Sequence, residues 1–143
     1  MSYHLTITKM DIQPPADVLV KYKMYYEGGC PEPGHVYRGI MAVNLFITKN
    51  MFVIKPECIS YDDLFAPIWI PFNAVVNCEF KSHPSGLNSN NEIHITYEWF
   101  NNTYIIRLSS QKIMRRSNYN ECQGIIDFIR CSGIFAQFKR PPQ

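Results

Sequence analysis

Apolar residues recur at every second position through two neighbouring segments, and this period constrains the fold more than any other feature of the chain. In 93–100, Ile93, Ile95, Tyr97 and Trp99 alternate with His94, Thr96, Glu98 and Phe100. In 103–109, Tyr104, Ile106 and Leu108 share one face. Alternation of this kind turns one set of side chains to a core and the other outward, as a half-buried strand requires. Asn101-Asn102 separates the two segments. Asn tolerates positive φ better than most residues, so this pair predicts a two-residue hairpin turn.

The same period appears upstream. In 74–81, Ala74, Val76, Cys78 and Phe80 oppose Val75, Asn77, Glu79 and Lys81. Segments 36–48 and 51–54 read as two strands around Lys49-Asn50, and 68–71 as a short extended piece. The β-branched and aromatic content of 18–26 favours a strand. Residues 4–10 read as another short one. Pro and Gly fall at the boundaries, in Gln13-Pro14-Pro15, in 28–34, and in the loop 82–91. The chain then changes period. Asn118 stands three residues before Glu121, a capping-box pattern, and Cys122, Ile125, Ile126 and Ile129 follow helical spacing up to Gly133. An amphipathic helix is expected over 119–132, its apolar stripe facing the sheet. The fold class is therefore mainly β, a barrel or sandwich of about seven antiparallel strands with one C-terminal α-helix.

At 143 residues the chain is expected to form a single domain, with 1–17 as an N-terminal extension and 139–143 as a polar tail. Apolar residues make 46% and charged residues 18%, which excludes disorder. The net charge of +2 gives little field for steering polyanions, so nucleic acid is an unlikely partner. The five cysteines form no C-x-x-C pair, residues 1–12 carry no signal-peptide pattern, and no apolar run is long enough to span a bilayer. These features point to a cytoplasmic protein with reduced thiols, without a transmembrane segment, at most peripheral at a membrane.

Three segments resemble the pleckstrin-homology superfold, and within it the GRAM and bacterial PH-like families. Residues 39–54 are similar to the hairpin in which those domains place a Leu-Thr pair ahead of an apolar strand. Ile70-Pro71-Phe72 with 73–80 is similar to the strand that follows, and the terminal helix falls in the family's position. The resemblance covers roughly residues 36–133. It departs from the family at Met51, where many members carry arginine, so the basic lining of the lipid-binding members is incomplete. The resemblance implies a small barrel capped by the helix and a non-enzymatic role in binding phospholipid headgroups, peptides or proteins, with self-association in some members.

Catalytic and metal chemistry find little support in the residues. The four histidines, His4, His35, His83 and His94, lack ligand spacing, and Cys30, Glu32 and His35 are the tightest mixed group. There is no G-x-S-x-G elbow and no phosphate-binding glycine loop. Asp62-Asp63 are adjacent and point apart in an extended chain. Cys78 and Cys122 fall on apolar faces and read as core residues. No catalytic residue, metal ligand or cofactor is assigned.

Two surfaces remain. Lys49, Lys112, Arg115 and Arg116 are the candidates for contacting an anionic headgroup, since Arg grips phosphate bidentately. Phe100, Ile105, Phe135 and Phe138 are the candidates for a protein interface, because they add apolar bulk outside the main alternation. The function expected is a non-enzymatic interaction module. Its partner would be a protein, including a second copy of itself, or an anionic phospholipid headgroup. The alternative is a small enzyme or ligand-binding barrel with polar residues such as His94 or Tyr97 inside.

Overall fold

In the computed structural model, residues 12–28, 41–57, 67–81, 91–110 and 119–139 are described. Each period-two segment within them is a strand. The strands are β1 (Val18–Gly28), β2 (Met41–Thr48), β3 (Met51–Pro56), β4 (Ile68–Pro71), β5 (Val75–Lys81), β6 (Glu92–Trp99) and β7 (Asn102–Ser110). One α-helix among the described residues, α1 (Tyr119–Cys131), follows them. The expected strand at 4–10, the start of the expected 36–48 strand, and Asn118 of the capping box lie outside the described residues.

All seven strands form one antiparallel sheet in the order β4-β3-β2-β1-β7-β6-β5. The edge strands β4 and β5 are consecutive in the chain and joined only by the 3₁₀ turn Phe72–Ala74. A three-residue link cannot cross a flat seven-stranded sheet, so the sheet folds over on itself into two faces around one core. β1 belongs to both halves. It pairs with β2 from Val18 to Tyr26 and with β7 from Met24 to Gly28.

Inward residues of every strand and of α1 meet in a single apolar cluster that includes Met24, Leu45, Phe52, Ile70, Cys78, Ile95, Ile106 and Ile125. The helix buries Cys122, Ile125, Ile126 and Ile129, the stripe its spacing predicts, against β5 and β7. It ends at Gly133, whose left-handed backbone (φ 77°) turns the chain into a second 3₁₀ turn, Ile134–Gln137. Phe46 and Val53 point away from the main cluster yet are also fully buried, beside the buried polar residues Asn44 and Lys55, so β2 and β3 bury side chains on both faces.

Two strand readings are corrected. The inward residue at the start of β5 is Val75 and not Ala74 or Val76, because Phe72–Ala74 is a 3₁₀ turn and a bulge between Val75 and Asn77 resets the alternation before Cys78. The β6–β7 turn is made by Phe100-Asn101 and not by Asn101-Asn102. Trp99 pairs with Asn102, so Asn102 is already in β7. The inward pairs Ile93–Leu108, Ile95–Ile106 and Tyr97–Tyr104 set this register, because a slip of one residue would turn all of them outward.

Candidate functional site

The β6–β7 turn puts two residues in the left-handed region, Phe100 at φ 49° and Asn101 at φ 67°. Positive φ at both central positions is the arrangement of the primed hairpin turn, which matches strand twist and favours Asn or Gly. Phe is a poor occupant. Its Cβ crowds the following carbonyl, at a cost of about 1–2 kcal/mol. The side-chain amide of Asn102 donates to the Phe100 carbonyl oxygen at 3.4 Å.

The Phe100 side chain gains no burial in return, for the residue is 81% exposed. Trp99 continues the core-facing alternation of Ile93, Ile95 and Tyr97, but it lies past the last core layer and is 50% exposed. Its ring meets that of Phe100 edge-on, centroids 5.0 Å apart. Glu98, Trp99, Phe100, Asn101 and Lys139 line a shallow groove at this tip. Lys139 Nζ is 2.8 Å from Glu98 Oε1, and the Lys139 amide donates to the Val75 carbonyl oxygen at 2.8 Å. The tip thus carries two exposed aromatic rings beside a shallow groove with a polar rim. Alternation alone places Trp99 on the core face. The signal that could have found it is its place on the last rung before the turn.

The sequence-derived apolar candidates do not form one surface. Ile105 is 48% exposed on the outward face of β7, opposite Thr96. Phe135 is half-buried against the core. Phe138 is corrected from an interface residue to a core residue. It is 4% exposed, with its ring centroid 6.2 Å from that of Phe52 and 6.1 Å from that of Phe72. The reason is that the chain after Gly133 folds back along the seam between β4 and β5. Among the headgroup candidates, Lys49 is exposed in the β2–β3 turn, where the Thr48 hydroxyl accepts the Met51 amide at 3.1 Å. Lys112, Arg115 and Arg116 lie outside the described residues.

The outward face of β6 and β7 carries a polar cluster. His94 Nε2 is 2.8 Å from Glu92 Oε1, and Arg107 Nε is 3.6 Å from the same oxygen. Arg107 Nη2 donates to the Glu27 carbonyl oxygen at 2.8 Å, and Ser109 Oγ donates to Glu27 Oε2 at 2.6 Å. These side-chain bonds reinforce the short stretch, Met24 to Gly28, over which β1 and β7 pair. His94 therefore faces outward, while Tyr97 is buried against Tyr104 in the core. The barrel interior gains no polar lining from His94.

The two buried thiols, Cys78 and Cys122, are poorly placed for nucleophilic work. Burial, with the Glu79 charge beside it, pushes the Cys78 thiol up to about 12. Burial also raises the Cys122 thiol, whose Sγ lies 3.5 Å from the Asn91 carbonyl oxygen. Both are held as neutral thiols near pH 7, where an attacking cysteine must be thiolate. Cys131 is free and exposed. Cys30, Cys58, Asp62, Asp63 and the Cys30-Glu32-His35 group lie outside the described residues. Among the described residues no group of three or more His, Cys, Asp or Glu side chains is placed to hold a metal ion. No helix among them is long and apolar enough to cross a membrane.

The fold and tip together define a small antiparallel β-sandwich with a covering helix and a protruding aromatic hairpin. No family model matches the chain, and no curated protein does. Among solved structures, the chain is similar to the hSac2 domain from the human phosphoinositide phosphatase Sac2. The TM-score is 0.59 at 10% sequence identity, over 92% of this chain and 79% of that one. At that identity the likeness is one of fold.

Proposed function

We propose that the chain is a non-enzymatic interaction module of the PH/GRAM-like kind, and that it docks through the β6–β7 tip onto a protein or an anionic phospholipid surface. The observation that carries this reading is Phe100, a bulky apolar residue that is both strained and exposed. Among the described residues its only ring contact is with the exposed Trp99, and local strain not offset by burial is retained where a site needs it. The surroundings support the reading. Cys78 and Cys122 are held protonated, and the charged groups lining the groove at the tip, Glu98 and Lys139, are paired with each other. The similar human domain belongs to a phosphoinositide phosphatase, which favours including lipid among the partners. On the sequence argument, Lys49 with Lys112, Arg115 and Arg116 would add phosphate contacts.

Size-exclusion chromatography with light scattering, with and without anionic vesicles, tests this. The wild-type chain should self-associate or co-elute with vesicles, and the double variant Phe100→Asn with Ile105→Thr should lose that behaviour. A wild-type chain that does neither, and a variant indistinguishable from it, would overturn the proposal.

A further inference from the structure

Resting on the reading of the tip as the docking element, we propose that its partner is the headgroup–acyl boundary of a phospholipid bilayer, into which Trp99 and Phe100 insert. Area decides between a membrane and a protein. The exposed parts of the two side chains come to roughly 250 Å², given the size of aromatic side chains. A stable protein interface needs about 800 Å² from each partner. Ile105, the next exposed apolar residue on the hairpin, lies on the outward face of β7 and does not extend this patch.

A bilayer has no such threshold. It is fluid, so exposed rings need no matching pocket, and each buried apolar group contributes in proportion to its area. The composition of the tip fits the depth expected. Trp carries an apolar body and a polar N–H, the combination enriched at membrane interfaces. Asn101 and the Lys139–Glu98 pair line the groove beside the rings and supply a polar border to them. The hairpin turn places both rings at the end of β6–β7, where they are already exposed without any unfolding of the core.

Tryptophan fluorescence reads this directly, because the chain has two tryptophans, Trp69 and Trp99. Trp69→Phe leaves Trp99 as the sole emitter and keeps a ring beneath Lys55 Nζ, which lies 4.9 Å from the Trp69 ring. With this variant, phosphatidylcholine vesicles containing phosphatidylserine should shift the emission to shorter wavelength, and lipids brominated near the headgroup should quench it. Adding Phe100→Asn should weaken vesicle partitioning about tenfold or more, while thermal unfolding stays cooperative. Trp99 emission that ignores saturating vesicles overturns the membrane proposal. If Phe100→Asn instead breaks a self-associated form, a second copy is the partner: the membrane proposal falls and the tip remains the docking element. If Phe100→Asn changes neither partitioning nor mass, the docking role of the tip falls with it.

Discussion

The amide of Lys139 donates to the carbonyl oxygen of Val75, tying the end of the described chain to the first residue of β5. That bond anchors the segment following α1 at the start of β5, and beside it Phe138 packs against Phe52 of β3 and Phe72 of the turn between β4 and β5. The seam of the sheet is therefore filled by sequence that lies outside every strand.

Phe138→Ala should cost about 3–5 kcal/mol, in the range found for emptying a buried aromatic site. The loss would come from the Phe52–Phe72–Phe138 ring cluster. Urea unfolding checks it through a lower midpoint with an unchanged slope.

Phe100→Asn should stabilise the fold by about 1 kcal/mol, since Asn accepts the left-handed backbone that Phe resists and no buried contact is lost. A higher melting temperature together with lost docking would separate the two roles of this residue. A lower melting temperature would mean that the ring stabilises the hairpin, contrary to the strain argument.

Gly133→Ala should destabilise by about 1 kcal/mol. A Cβ there meets no atom within 4 Å, so the penalty arises from the backbone at φ 77° alone. Thermal unfolding of the single variant measures it.

Cys78 makes stability depend on alkaline pH. Its folded value, near 12, lies above the usual thiol value of 9.0, so the folded state holds the proton more tightly. The contribution is complete below pH 9 and declines between about 9 and 12, as the unfolded state deprotonates first, with a slope of up to about 1.4 kcal/mol per pH unit from this group. Cys78→Ala should flatten that decline in denaturant titrations. At pH 8 in the native state, iodoacetamide should modify Cys131 well ahead of Cys78 and Cys122.

The strands were legible because their cores are built from period-two runs such as Ile93-Ile95-Tyr97 and Tyr104-Ile106-Leu108. The helix was legible from the 3.6-residue stripe of Cys122, Ile125, Ile126 and Ile129. What escaped depended on contacts distant in sequence. The β5 bulge at Val75–Asn77 breaks a pattern that local alternation continues unchanged. The turn at Phe100-Asn101 was misplaced because Asn101-Asn102 satisfies local turn preference, while the three inward pairs below it set a different register. Phe138 looked like surplus apolar surface because its partners, Phe52 and Phe72, lie more than sixty residues upstream. Of the site, Phe100 and Ile105 were found as breaks in alternation. Trp99 followed the rule, and only the position of the last core layer exposes it.

The dual role of β1 bears on how the chain is made. Its far half is completed by β7, and Ser109 reaches Glu27 across 82 residues of sequence. During synthesis, strands β1 to β4 emerge from the ribosome well before that partner exists. Until β7 arrives, the edge of β1 from Met24 to Gly28 stands unpaired, with backbone donors and acceptors open to any other extended chain. The nascent protein therefore passes through an interval in which it is a strand acceptor, and the synthesis of β7 ends that exposure.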